Sequence, residues 1–240
     1  MPGVTTRKTD LGSVEDFTAL VETVSPDIVV HAAGLTSVED CEEDPERAWH
    51  VNVRLSANVA EACRRSAVAL VHVSTDHLFS GLRPFASEDW PVTPVNVYGR
   101  TKADAEARVL DVNPDALIIR TNFFAWGTSY RQSFSDFIIK ALRKGDGVAL
   151  FQDVYFSPIL ADRLVMVVHE LLSKRVSGVF NVVGDERISK LEFGLRIAHH
   201  FGLDPSLIGA GSLADRPHLV QRPLDMSLSN EKVCHLLGKR

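Results

Sequence analysis

Tyr98 and Lys102 stand at i and i+4 in the run Asn96-Val97-Tyr98-Gly99-Arg100-Thr101-Lys102. On a helix that spacing places the ammonium on the same face as the phenol. A free phenol titrates near pH ~10 and a cation beside it favours the phenolate, so the Tyr can exchange a proton with a carbonyl or an alcohol near neutral pH. Thr75, in Val73-Ser74-Thr75-Asp76, closes an upstream apolar run and offers a hydroxyl to the same substrate oxygen. Tyr-x-x-x-Lys alone is satisfied by many solvated helix faces, so its meaning depends on the elements that must hold it.

Those elements alternate. Ser13 reads as the N-cap of a helix that carries Val14, Phe17, Leu20, Val21 and Val24 on one face and is stopped by Pro26. Asp27 to Ala33 reads as a buried strand ending at Gly34. From Pro45 to Ser66 the apolar positions Ala48, Val51, Leu55, Val59 and Ala62 recur at helical spacing, which predicts one long amphipathic helix. A strand (Ala67 to Thr75), an irregular polar loop (Ser80 to Asn96), a helix (Val97 to Leu110), a strand (Ala116 to Thr121) and a helix (Gln132 to Lys144) follow. Beyond Gly145 the elements shorten: a strand near Val148 to Phe151, a helix from Ala161 to Ser173 and a strand from Val179 to Val183. Ser189 and Glu192 form a capping box for the next helix, and a last helix runs from Ser229 to Gly238. This alternation predicts an α/β fold, a doubly wound parallel sheet covered by helices. Ligands in such sheets bind beyond the carboxyl ends of the strands, which is where Thr75 stands. Residues 1–145 are expected to form the sheet domain, and residues 146–240 mainly a smaller, interleaved lobe leaning on it.

Composition narrows the classes. Hydrophobic residues make up 45% and charged residues 24%, the balance of a folded protein rather than a disordered one. A net charge of -5, without a basic run, lacks the electrostatic footprint of a nucleic-acid binder. No stretch approaches the roughly 18 uninterrupted apolar residues of a membrane helix. Met1 to Asp10 is too polar for a secretory signal. A soluble, cytoplasmic protein with neither nucleic-acid nor membrane partners is expected. Cys41, Cys63 and Cys234 specify no disulfide framework, and the scattered histidines specify no metal site. The acidic run from Glu39 to Asp44 reads as solvating a helix start and favouring its dipole.

An ordered set of segments then carries a resemblance: Val29-Val30-His31-Ala32-Ala33-Gly34-Leu35-Thr36, Val51-Asn52-Val53, Val73-Ser74-Thr75-Asp76-His77-Leu78-Phe79, Asn96 to Lys102, Arg120-Thr121-Asn122-Phe123, Gly178-Val179-Phe180-Asn181 and Arg222-Pro223-Leu224-Asp225. Together they resemble the extended short-chain dehydrogenase/reductase family and its dTDP-4-dehydrorhamnose reductase-like, sugar-nucleotide-binding subgroup. The resemblance implies a Rossmann-like fold with a C-terminal substrate lobe, NADP or NAD as cofactor, and reduction of a 4-keto group on a nucleotide-linked deoxysugar. It makes Tyr98 the proton donor, Lys102 its activator and a ribose ligand, and Thr75 the residue tuning proton transfer. Asp10 and Leu11 fall beside the adenine, Gly34, Leu35 and Thr36 along the dinucleotide, and Val73 near the nicotinamide. Thr75, Asp76 and Phe123 fall on the sugar nucleotide, and Asn52 is the helix asparagine that orders the site. His77 stands where the family has Tyr. No strand followed by G-x-G-x-x-G or G-x-x-G-x-x-G opens a helix here, so the expected arrangement is an N-terminally truncated one lacking the first βαβ unit. The strand Asp27 to Ala33 would then present an apolar edge, to be covered by a second copy or a partner. An alternative from the same resemblance is a non-catalytic binding subunit similar to the β subunit of methionine adenosyltransferase.

Overall fold

The computed structural model describes residues 3–128 and 132–238. It opens with α1 (Val14–Val24), β1 (Ile28–His31) and α2 (Val38–Glu43). A continuous helical stretch follows, made of α3 (Pro45–Trp49), a π-helical turn (His50–Arg54) and α4 (Leu55–Arg65), and then β2 (Ala69–Val73). After a long loop come α5 (Val97–Val112), β3 (Leu117–Arg120), β4 (Phe123–Phe124), α6 (Phe134–Lys144), β5 (Val148–Phe151), β6 (Tyr155–Phe156) and β7 (Ile159–Leu160). The chain continues through α7 (Ala161–Ser173), β8 (Gly178–Asn181), β9 (Ile188–Ser189), α8 (Lys190–Phe201), β10 (Ile208–Gly211) and α9 (Glu231–Leu237).

The central sheet has the order β1-β2-β3-β8, and its neighbours pair in parallel. Its strands are short apolar runs because both faces are covered. One face packs on α4 and α5 through Val59, Cys63, Leu70, Val109 and Ile118. The other packs on α7 and α9 through Val71, Leu117, Ile119, Leu171, Phe180 and Val233. β1 ends the order, and Val30 on it is exposed. A second core gathers Ile138, Ile139, Leu142, Leu150, Phe156, Phe193 and Ile197 from α6, β5, β6 and α8. The lobe core thus takes α6 from before residue 145, whereas α7, β8 and α9 from after it return to the sheet.

The helix ends obey local chemistry. Ser13 caps α1 by accepting from Asp16 N, and Gly145, Gly202 and Gly238 close their helices in the left-handed conformation. Three expectations need correction. The capping box at Ser189 is half formed: Ser189 accepts from Glu192 N, but the Glu192 carboxylate pairs with Arg196. The reciprocal box instead opens α6, between Ser133 and Asp136. The last helix starts at Glu231 rather than Ser229, with Asn230 at its N-cap. The long helix from Pro45 is interrupted by its π turn, a feature that apolar periodicity does not register.

Candidate active site

The carboxyl end of β2 and the first turns of α5 meet closely because residue 99 is glycine. A Cβ there would lie 2.5 Å from the His77 carbonyl and 2.9 Å from Pro94. Asn96 caps α5 by accepting from Gly99 N and donates to Gln221 O, and Glu42 on α2 accepts from Val97 N. The acidic run thus does more than solvate a surface, since Glu42 takes one of the unpaired donors at the start of α5 and Glu39 pairs with Arg222.

Tyr98, Lys102, Thr75 and Asp76 are all buried at this junction. The Lys102 ammonium donates to Val73 O at 2.8 Å and to His72 Nε2 at 3.3 Å. The Tyr98 ring meets the His77 ring edge-on at 5.3 Å. Thr75 Oγ1 donates to Asp76 Oδ1 at 3.2 Å and accepts from His77 N, while Asn122 Nδ2 donates to Asp76 Oδ2 at 2.5 Å. The structure therefore brings Thr75, Asp76, Tyr98 and Lys102 to one strand end, and Asn122 carries the site to β4. Phe123, the first residue of β4, is exposed.

An ammonium can only donate, so its bond to His72 Nε2 fixes the tautomers behind it. His72 must carry its proton on Nδ1 and give it to His31 Nδ1, 3.1 Å away on the paired strand. His31 Nε2 then holds a buried proton with no acceptor among the described residues. Burial, reinforced by repulsion from Lys102, holds both histidines neutral: His31 falls to about 4 and His72 well below its ordinary value. Burial also lowers Lys102 to about 8, against the opposing attraction of Glu106. A folded pKa below the ordinary 10.5 means that the unfolded chain keeps a proton the folded chain has shed between those values. Stability should therefore rise as pH climbs from about 8 toward 10.5. Lys102→Met should remove roughly 3 kcal/mol of that rise, read from urea unfolding at two pH values.

The loop after β1, which the sequence places along a dinucleotide, is held by the π turn. Asn52, buried within it, accepts from Leu35 N at 2.7 Å and donates to Leu35 O and to Thr101 Oγ1. One side chain thereby ties the loop after β1 to α5, beside Tyr98. Gly34 lets that loop close in, since a Cβ would stand 3.0 Å from Asn52 Oδ1. Ala32, Ala33 and Thr36 stay exposed along the loop. Further along the same helical stretch Asn58 donates to Leu11 O and Gly12 O, and Asp10 folds back to accept from Gly12 N. The two asparagines thus tether both segments expected along a dinucleotide.

Sequence reasoning missed Asn122, His72 and Glu106 as participants. Glu106 is one helical turn beyond Lys102, so that spacing was a usable signal, whereas the Ser74 hydroxyl that donates to it comes from a distant strand end. A G-x-G-x-x-A pattern, Gly209 to Ala214, lies outside the site. It runs through β10 into the short 3-10 turn Leu213–Asp215, where Asp153 already accepts from Ser212 Oγ and Leu213 N.

A family model described as RmlD substrate binding domain matches residues 1–240. The chain is 34% identical to the "Probable low-salt glycan biosynthesis reductase Agl14" of Haloferax volcanii, over 95% of this chain and 78% of the relative. It is 31% identical to a dTDP-4-dehydrorhamnose reductase of Mycolicibacterium smegmatis, over 93% of this chain and 68% of that one. A crystal structure of a hypothetical dTDP-4-dehydrorhamnose reductase from Sulfolobus tokodaii superposes with a TM-score of 0.85 at 31% identity, covering 97% of this chain and 82% of the other.

Proposed function

The chain belongs to the RmlD substrate-binding-domain family, and we propose that it is an NAD(P)H-dependent oxidoreductase acting on a 4-keto group of a nucleotide-linked deoxysugar. The observation that carries this reading is the burial of Tyr98 and Lys102 at the carboxyl end of β2, with Thr75 and Asp76 beside them.

The residues present suit the nicotinamide-ribose half of a dinucleotide. Lys102 uses two of its three donors on Val73 O and His72, which leaves a third for a ribose hydroxyl. The loop from Gly34 to Thr36, pinned by Asn52, and Val73 would line the dinucleotide, with Asp10 and Leu11 at its adenine end. When bound, a reduced nicotinamide supplies a hydride to the keto carbon. Tyr98 delivers a proton from its hydroxyl to the keto oxygen, so that one hydride and one proton convert ketone to alcohol. Lys102 favours the resulting phenolate through its charge, Thr75 turns its hydroxyl from Asp76 to donate to the substrate oxygen, and Asp76 and Phe123 contact the sugar nucleotide.

A purely regulatory role, the alternative read from the sequence, would not need a buried tyrosine and a buried lysine gathered with Thr75 at one strand end. The test is direct. The chain is titrated with NADPH and with NADH while the fluorescence of Trp49, Trp90 and Trp126 is followed, and a dTDP-linked 4-keto deoxysugar is then added. Quenching followed by loss of the nicotinamide absorbance is expected; a folded chain that gives neither contradicts the reading.

A further inference from the structure

His31 and His72 are buried and neutral, and stand outside the chemistry assigned to Tyr98, Lys102 and Thr75. The parallel register of β1 and β2 sets them directly opposite one another, with ring centroids 5.2 Å apart and planes inclined by 21°. Their Nδ1 atoms lie 3.1 Å apart, and His72 Nε2 lies 3.3 Å from the Lys102 ammonium. A hydrogen-bonded file thus runs from Lys102 through both rings to the end strand of the sheet. It stops at His31 Nε2, which is buried with no partner among the described residues. Two desolvated imidazoles and an unpaired donor cost stability that apolar side chains in a sheet would not. A local rule broken without gain to the fold marks a functional position.

The gain lies at Lys102. The other ionisable groups around it are Tyr98 and Glu106, each one helical turn away on α5, and Glu106 is engaged by Arg120 of β3 and by Ser74. On the strand side the ammonium has two acceptors, Val73 O and His72 Nε2. Only the second can change character. A neutral imidazole accepts at Nε2 solely while its proton is on Nδ1; with the proton on Nε2 it would face the ammonium donor to donor. His31 Nδ1 is the acceptor that holds the His72 proton in place. Without it either tautomer of His72 leaves Nδ1 unpaired, and the preference is lost.

Resting on the reductase reading above, we infer that His31 and His72 are positioning residues: His31 locks His72 in the tautomer with a bare Nε2, and that nitrogen keeps Lys102 an ammonium, with its third N–H left for the crevice beside Tyr98. His31 thereby governs, from the neighbouring strand, the pH range over which Lys102 can support proton transfer.

Nitrogen NMR spectra of the histidines of the native chain in neutral solution test the lock itself, and should show His72 protonated on Nδ1 and His31 on Nε2. Lys102 is then titrated twice, by the nitrogen signal of its ammonium, identified by its absence in Lys102→Met, and by the alkaline fall of kcat. A hydrogen bond accepted from the ammonium favours the charged form, so His72→Leu should move both midpoints down by about one pH unit or more. His31→Leu should move them the same way, although His31 makes no hydrogen bond to Lys102. His31→Asn, which returns an acceptor near the Nδ1 position, should restore most of the shift. A pair kept only for folding would lower the melting temperature of His31→Leu and leave both midpoints in place. That result, or a native His72 protonated on Nε2, overturns the inference; the native spectra and His72→Leu decide it where His31→Leu does not fold. An ammonium midpoint that moves as stated in a chain without turnover would retain the lock and remove the reductase reading.

Discussion

Tyr98→Phe is expected to lower carbonyl reduction by roughly 10²–10⁴-fold, the range that a positioned general acid contributes. The ring remains, so its edge contact with His77 and the packing around Val38, Cys41, Ala48 and Val97 should persist. The substitution removes only the hydroxyl proposed to give up the proton. NADPH affinity and melting temperature should therefore stay close to native while kcat collapses, as measured by steady-state nicotinamide oxidation beside a fluorescence titration. Loss of affinity in proportion to kcat would mean that Tyr98 binds rather than reacts. Unchanged turnover would remove it from the chemistry.

The largest stability effect is expected at Arg120. Its guanidinium grips Glu106 with Nε and Nη2, at distances from 2.7 to 3.1 Å, and both side chains are buried. Ser74 adds a hydrogen bond of 2.5 Å to the same carboxylate. Arg120→Met leaves that carboxylate buried with its charge partner gone, which should cost about 3–5 kcal/mol in urea unfolding. Arg120→Met combined with Glu106→Leu should recover much of the loss, because a buried pair exchanged for apolar groups is often close to neutral. Since Glu106 also favours the Lys102 ammonium, the double variant should lower the pH at which activity falls on the alkaline side. If Arg120→Met costs no more than a surface substitution, the pair is not the anchor that its geometry implies.

Much of this arrangement was legible in the sequence because it is set by local rules. The α7 boundaries at Ala161 and Ser173, the Ser13 cap and the Gly238 stop follow from apolar spacing and capping chemistry within a few residues. Tyr98 and Lys102 were legible for the same reason, since one helix fixes their relation. What depends on partners distant in sequence was not legible. The π turn at Asn52 is tied by its amide to Leu35 and Thr101, neither of which is near it along the chain. His72 becomes a partner of Lys102 only through the register of β1 and β2 and the seating of α5 above them. Lys190 reads in sequence as an ordinary residue after a capping serine; only the fold of the lobe sets Phe156 and Phe134 against its ammonium. Helix α2 likewise shows its purpose only when Glu42 is seen to accept from the first turn of α5.

The central claim is that Tyr98 and Lys102 act as one device. A double-mutant cycle measures this most directly, using kcat for nicotinamide-dependent reduction in the native chain, Tyr98→Phe, Lys102→Met and the pair. Residues that work as a unit are strongly non-additive. The pair should therefore be about as slow as Tyr98→Phe alone, because an ammonium has nothing to activate once the hydroxyl is gone. Losses that multiply would show two independent contributions and contradict the account.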